Sequence, residues 1–113
     1  MKVSTRVEDW QVIDGTLDNT VDIASEDGDA ELCAVGLRIR QAGWEACAVH
    51  PHRGGGSVGW PPADDVLEVE LSRDDWTVAI AQLRRWAAVG EATDDRPEPR
   101  LARWLEDEVR AAG

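Results

Sequence analysis

Hydrophobic and polar residues alternate in short runs through the first half of the chain, and turn signals separate these runs. This pattern predicts an antiparallel β-meander over residues 1–50. Asp14-Gly15 and Asp27-Gly28 are predicted two-residue hairpin turns, because both central positions of such a turn need a positive φ. Gln41-Ala42-Gly43 is a predicted three-residue turn with glycine at its left-handed position.

The third turn also sets a register between the two strands that it joins. Counting back from it places five residues on one apolar face that is predicted to be buried: Cys33, Val35, Leu37, Cys47 and Val49. In this register the two cysteines lie about four residues apart along the ladder, roughly 13 Å at the rise of a strand. That separation exceeds the reach of a disulfide, so we expect two free thiols.

A different pattern begins after residue 50. Residues 51–65 are rich in glycine and proline, which predicts a loop. Residues 66–71 alternate apolar with acidic side chains, which predicts a strand whose buried face carries Leu67, Val69 and Leu71.

Apolar residues at helical spacing fill the last part of the chain and predict two helices, over residues 73–89 and 98–112. Ser72 is the predicted N-cap of the first helix, because acidic residues follow it as in a capping box, and Gly90 is its predicted C-cap. The polar stretch from Glu91 to Pro97 is the predicted linker between the two helices.

Strands segregated from helices favour an α+β fold over a parallel α/β fold. We therefore expect one domain, residues 1–113, in which a two-layer, mostly antiparallel four- or five-stranded sheet is packed by two C-terminal helices. A chain of 113 residues with 42% hydrophobic content is large and apolar enough for one modest core. No apolar run approaches the ~20 residues that span a bilayer and no signal core follows Met1, so the expected compartment is the cytoplasm.

Charge narrows the classes of function. The formal net charge is −11, which disfavours direct binding to nucleic acid or to anionic membranes and favours basic partners. The first 32 residues carry −7, the next 33 are neutral, and residues 66–113 carry −4. Nine acidic residues account for the first part, with no Lys or Arg between the first and the last of them: Glu8, Asp9, Asp14, Asp18, Asp22, Glu26, Asp27, Asp29 and Glu31.

These nine acids are the predicted partner-binding residues of a small, non-enzymatic protein that inhibits or neutralises a basic protein. The predicted partner is a nuclease toxin or a nucleic-acid-binding complex, and the acids would then act as a nucleic-acid mimic. Immunity proteins, antitoxins and viral anti-defence inhibitors are the settings that fit this size and charge. Trp60, in the Gly- and Pro-rich loop, is a tenth candidate, since an exposed Trp offers a large rigid contact area.

Two alternatives remain open. Six Trp, no Phe or Tyr, and one Lys against 11 Arg indicate GC-rich coding, so the acidity alternatively belongs to a domain from a salt-adapted organism. The neutral middle third argues against that reading. A small metal-binding protein that uses Cys47, His50 and His52 is the other alternative, although its fourth ligand is missing. No catalytic motif is present, and we expect neither a cofactor nor catalysis.

Overall fold

A computed structural model describes residues 1–56, 59–89 and 97–112, and within these residues the chain forms four helices and two strands. In chain order the elements are β1 (Lys2–Arg6), α1 (Val7–Asp27), α2 (Ala30–Ala48), β2 (Val66–Glu70), α3 (Arg73–Ala87) and α4 (Pro97–Ala112). The sheet has two strands in the described residues, so the predicted four- or five-stranded sheet is wrong.

The predicted meander is replaced by a hairpin of two long helices, α1 and α2. Buried residues of α1 recur every three or four positions, apart from Thr16 beside Leu17, which is the period of a helix rather than of a strand: Val7, Trp10, Ile13, Leu17, Thr20 and Ala24. The predicted turn at Asp14-Gly15 lies inside α1, and the predicted turn at Gln41-Ala42-Gly43 lies inside α2.

Glycines let the two helices of the hairpin approach closely. Gly36, Ile39, Gly43 and Cys47 form the buried stripe of α2. A Cβ atom at Gly43 would overlap the indole of Trp10, so this ring packs directly on the α2 backbone. Two of the four buried positions of α2 therefore have no side chain, and an apolar periodicity does not reveal them.

The turn at Asp27-Gly28 is real, but it joins helices. Gly28 adopts φ 75°, the left-handed conformation that commonly ends a helix, and the Asp29 amide donates to Ala24 O at 2.8 Å. The Asp29 carboxylate then accepts from Leu32 N at 3.0 Å and caps α2. Asp-Gly-Asp thus closes one helix and opens the next.

The predicted apolar face around the third turn is also wrong. Leu37 is 46% exposed and Val49 is 84% exposed, whereas Cys47 is buried. Cys33 and Cys47 both lie on α2, 14 positions apart, which is about 21 Å along a helix. Both are free thiols for that reason rather than because of a strand register.

The short sheet pairs the N-terminus with the segment before α3. β1 and β2 are antiparallel, with Val3 opposite Val69 and Thr5 opposite Leu67. These four side chains are buried on the face that packs against the helices. β2 occupies most of the segment that the alternating pattern predicts as a strand, and Leu71, just after it, is buried as well.

The C-terminal helices follow their apolar stripes. Ser72 Oγ accepts from Asp75 N at 3.1 Å and caps α3, as its position before an acidic first turn predicts. α3 ends at Ala87. The predicted cap at Gly90 and residues 91–96 of the predicted linker lie outside the described residues. Leu83 of α3 and Leu105 of α4 are fully buried in the core between the helices.

One cluster of buried side chains connects all of these elements. At its centre Trp10 of α1 and Trp76 of α3 meet edge to face, with ring centroids 6.2 Å apart. Trp76 Nε1 donates to Met1 O at 3.0 Å, which ties the start of the chain to α3. The core lies between the α1–α2 hairpin and the helices α3 and α4, so that the charged outer face of α1 and the turn after it are left to solvent.

Candidate functional site

The acidic residues from Glu8 to Glu31 follow α1 and the first turn of α2. Because the segment is helical, these carboxylates lie along α1 and around the start of α2 instead of on two β-hairpins. The structure divides them into two groups. One group is paired with arginines, and the other is exposed around the turn at Gly28.

The first group lies in the N-terminal two thirds of α1. Arg40 of α2 reaches across the hairpin, with Nε 3.1 Å from Asp14 Oδ1 and Nη1 3.0 Å from Asp18 Oδ1. Arg6 and Arg100 contribute further pairs: Arg6 with Glu8 at 2.8 Å and with Asp9 at 3.7 Å, and Arg100 with Asp9 at 3.5 Å. Much of the charge of this group is compensated within the chain.

The second group, which we call the acidic tip, consists of Asp22, Glu26, Asp27, Asp29 and Glu31. All five residues are exposed. Within the described ranges, 1–56, 59–89 and 97–112, none of the five forms an ion pair. The acidic tip is therefore a concentrated negative surface whose counter-charge does not come from the described chain.

Helix dipoles act on the acidic tip in opposite senses. Glu26 and Asp27 are in the last turn of α1, where the helix end is itself partly negative and no basic residue is present. Asp29 and Glu31 begin α2, where acidic groups are favourable. Glu26 and Asp27 thus occupy positions that cost the folded chain some stability.

Trp60 is half-buried at the far end of α2 from the acidic tip. It lines a cavity of about 320 Å³ together with Trp44, Cys47 and Arg53. Trp44 follows Asp29 by 15 residues, or about 22 Å along α2. The structure does not bring Trp60 together with the nine acids, and the predicted partner-binding residues do not form one surface.

The two histidines lie beside a carboxylate that the sequence does not single out. His52 Nδ1 is 2.9 Å from Asp65 Oδ2, and His50 Nε2 is 3.9 Å from the same oxygen. One donor atom from each of His50, His52 and Asp65 lies within 4.8 Å of the other two. These residues are the ends of the Gly- and Pro-rich loop, which brings them together on its return to β2.

Cys47 does not belong to this group of donor atoms, so the structure does not bring Cys47, His50 and His52 together as one ligand set. The cysteine is buried on α2 against the core. Burial raises the pKa of the Cys47 thiol, and the nearby charge of Asp14 raises it further. The thiol is therefore held protonated, which disfavours both metal ligation and nucleophilic chemistry at this position.

Three residues that contribute to these surfaces are not identified by the sequence patterns. Asp65 lies beside the histidines only because the loop returns to them. Its position just before β2 is the one feature of the sequence that points to it. Arg40 forms ion pairs with both Asp14 and Asp18 across the α1–α2 hairpin, which the predicted strands do not contain. Trp44 is 43% exposed on α2, with the Arg40 guanidinium 4.9 Å from its ring centroid.

No protein-family model, curated protein or solved structure matches this chain. None of the helices among the described residues is long and apolar enough to cross a membrane.

Proposed function

We propose that the protein binds a basic protein partner through its acidic tip and has no catalytic activity of its own. One observation carries the proposal: the tip carboxylates are exposed without counter-charges from the described chain, whereas the acids nearer the start of α1 are paired with arginines. Solubility alone gives no reason to gather charges at a helix end whose dipole disfavours them. A cationic partner supplies the missing counter-charge.

The proposed partner is a nuclease toxin or a nucleic-acid-binding complex with a basic groove that normally receives phosphate. The net charge of −11 supports a protein partner over direct contact with nucleic acid. In this role the tip carboxylates take the place of phosphates, as expected of an immunity protein, an antitoxin or an anti-defence inhibitor. Trp60 lies at the opposite end of α2 and is not part of the proposed contact.

Affinity capture from the native host, followed by measurement of association rates, tests the proposal. The tip variant is Asp22→Asn, Glu26→Gln, Asp27→Asn and Glu31→Gln, which keeps Asp29 as the N-cap of α2. A control variant of equal charge change neutralises four exposed acids on other surfaces: Glu45→Gln, Glu68→Gln, Asp107→Asn and Glu108→Gln.

The captured partner should associate with the tip variant at least ~10-fold more slowly than with the parent at low salt, since complementary charge mainly accelerates encounter. The control variant should retain most of the parent rate, and added salt should reduce the difference between the two. Equal rates for the tip and control variants would show that net charge, rather than the acidic tip, governs binding.

Competition with a short DNA or RNA duplex tests the nature of the partner's groove. If the tip carboxylates replace phosphates, the duplex should displace the protein from its partner. A partner that binds the duplex and this protein at the same time would refute the mimicry and leave the contact at the acidic tip standing.

A further inference from the structure

Both ends of the loop between α2 and β2 are fixed by main-chain hydrogen bonds. His50 N donates to Cys47 O at 3.2 Å at the end of α2, and Asp65 O accepts from Val7 N at 2.9 Å at the start of α1. Asp65 N donates to Pro62 O at 3.0 Å. The positions of His50 and Asp65 are thus set by the helices, while His52 lies in an exposed turn beside them.

Three side-chain donor atoms converge between these ends. We propose that His50 Nε2, His52 Nδ1 and Asp65 Oδ2 bind one divalent transition-metal ion, with zinc as the best fit. Ligand atoms around a tetrahedral zinc are separated by ~3.3 Å, given metal–ligand distances of about 2.0–2.2 Å. The distances from Asp65 Oδ2 to the two ring nitrogens, 2.9 and 3.9 Å, lie on either side of that value.

The three donor atoms need to move only a little to surround a metal ion. The His52 side chain is 68% exposed, so its ring can shift without disturbing the core. The His50 side chain is 10% exposed and the Asp65 side chain 30%, so these two form the less mobile part of the site. Val66 O lies 3.0 Å from His50 Nε2 and is a neutral oxygen beside the site.

Metal binding requires each imidazole to change tautomer. The His52 amide donates to His50 Nδ1 at 3.0 Å, so the His50 proton is on Nε2 and points to Val66 O. When Nε2 binds the metal, that proton moves to Nδ1 and the exposed His52 amide turns to water. His52 likewise moves its proton from Nδ1 to Nε2. The bound ion therefore takes the place of three contacts of the metal-free site: His50 Nε2 to Val66 O, the His52 amide to His50 Nδ1, and His52 Nδ1 to Asp65 Oδ2.

The donor set selects the class of metal. Two imidazole nitrogens and one carboxylate suit Zn²⁺, Co²⁺, Ni²⁺ or Cu²⁺, whereas Ca²⁺ and Mg²⁺ need six or more oxygens, with water making up a magnesium sphere. Three protein ligands leave a fourth position for water or for an outside ligand. The acidic tip, built of carboxylates alone, has no such preference for transition metals.

Titration with Zn²⁺ in a calorimeter tests the site. The parent chain should bind one Zn²⁺ that excess Mg²⁺ does not displace, and His52→Ala and Asp65→Asn should each weaken binding at least ~10-fold, the scale typical even of indirect contacts to a metal. The tip variant and Cys47→Ala are the controls, and both should bind as the parent does. Equal binding by His52→Ala and the parent, or loss of binding in the tip variant, would overturn the proposal.

Nitrogen NMR gives a second readout that does not depend on any variant. The chain has two histidines, so four ring nitrogens report on the site. Zinc should shift His50 Nε2 and His52 Nδ1 most strongly and move the protons to the other two nitrogens. Unchanged ring nitrogens at saturating zinc would show that the histidines are not ligands.

Discussion

Gly43 is the residue of α2 on which the Trp10 ring of α1 packs. The indole of Trp10 lies against its Cα, fully buried and in contact with Trp76. Among the described residues, no acceptor takes a hydrogen bond from Trp10 Nε1. The packing of a large ring on bare backbone thus leaves one polar group unsatisfied, and this close approach depends on the absence of a side chain at Gly43.

Gly43→Ala should lower the free energy of unfolding by about 1–3 kcal/mol, because the new Cβ overlaps a buried ring that has no room to move. The overlap outweighs the helix propensity that Ala gains over Gly, about 1 kcal/mol. Urea denaturation followed by far-UV circular dichroism measures the change.

Gly15→Ala is the matched control for this substitution. Gly15 is exposed within α1, and nothing lies within 4 Å of a Cβ built there. The same change should therefore raise stability by about 0.5–1 kcal/mol. If both substitutions stabilise the protein, the Trp10 ring does not pack directly on Gly43.

Asp75 provides a pH-dependent contribution to stability. Arg38 of α2 donates to both of its carboxylate oxygens, at 2.8 and 2.6 Å, and Ser72 Oγ accepts from the Asp75 amide. The hydrogen bonds from Arg38 lower the pKa of Asp75 below its ordinary value of 3.8, against an opposing effect of burial. The unfolded chain therefore takes up this proton at a higher pH than the folded chain does.

The contribution of this pair should be complete above about pH 4 and should be lost as the pH falls through the lowered pKa of Asp75. Arg38→Gln removes the guanidinium that lowers the pKa of Asp75. The stability of this variant should therefore fall less steeply than that of the parent on acidification below pH 4. Urea midpoints from pH 7 to pH 2.5 measure the slopes. Arg103→Gln, which removes an exposed charge on α4, should keep the parent's slope.

At the scale of elements, the end of α1 is less stable than it would be with other residues. Glu26 and Asp27 face the negative end of their own helix dipole, near the other carboxylates of the acidic tip. Residues that weaken an element locally are expected where a surface serves binding. This cost can be measured without knowledge of the partner.

The double variant Glu26→Gln and Asp27→Asn should raise the free energy of unfolding by about 0.3–1 kcal/mol per charge at low ionic strength. The gain should shrink in 1 M NaCl, where the Debye length falls to about 3 Å. Thermal and urea denaturation at both salt concentrations measure it.

Asp74→Asn is the control of opposite sign, because Asp74 lies in the first turn of α3, where a negative charge favours the helix. Neutralising it should lower stability by a similar amount. A double variant at the acidic tip that is less stable than the parent would mean that these carboxylates have favourable partners in the folded chain.

At the scale of the whole molecule, the acidic tip and the histidine site are separate. The tip is at the start of α2, and His50 lies just beyond its end, so almost the full length of the helix lies between them. A metal at the histidines and a cation-rich partner at the tip can be tested independently. The tip variant used to test partner binding also serves as the control for metal binding.

Several elements could be predicted from the sequence because their signals are local. Ser72 caps α3, the alternation from Val66 onward gives β2, and Asp27-Gly28 marks a turn. A cap, a short alternating run and a glycine with positive φ depend on neighbours only a few residues away. The acidic composition of the segment from Glu8 to Glu31 is likewise evident from the sequence alone.

Only the tertiary structure decided which kinds of element these turns and caps connect. The turn at Gly28 fits a β-hairpin or a helical one, and the buried stripes of α1 and α2 use Thr20, Gly36 and Gly43, which an apolar pattern does not count. Whether a glycine is buried depends on the ring that packs on it, here Trp10, 33 residues away. The same holds for Asp65 beside the histidines: side chains distant in sequence meet only when the helices that anchor them are in place.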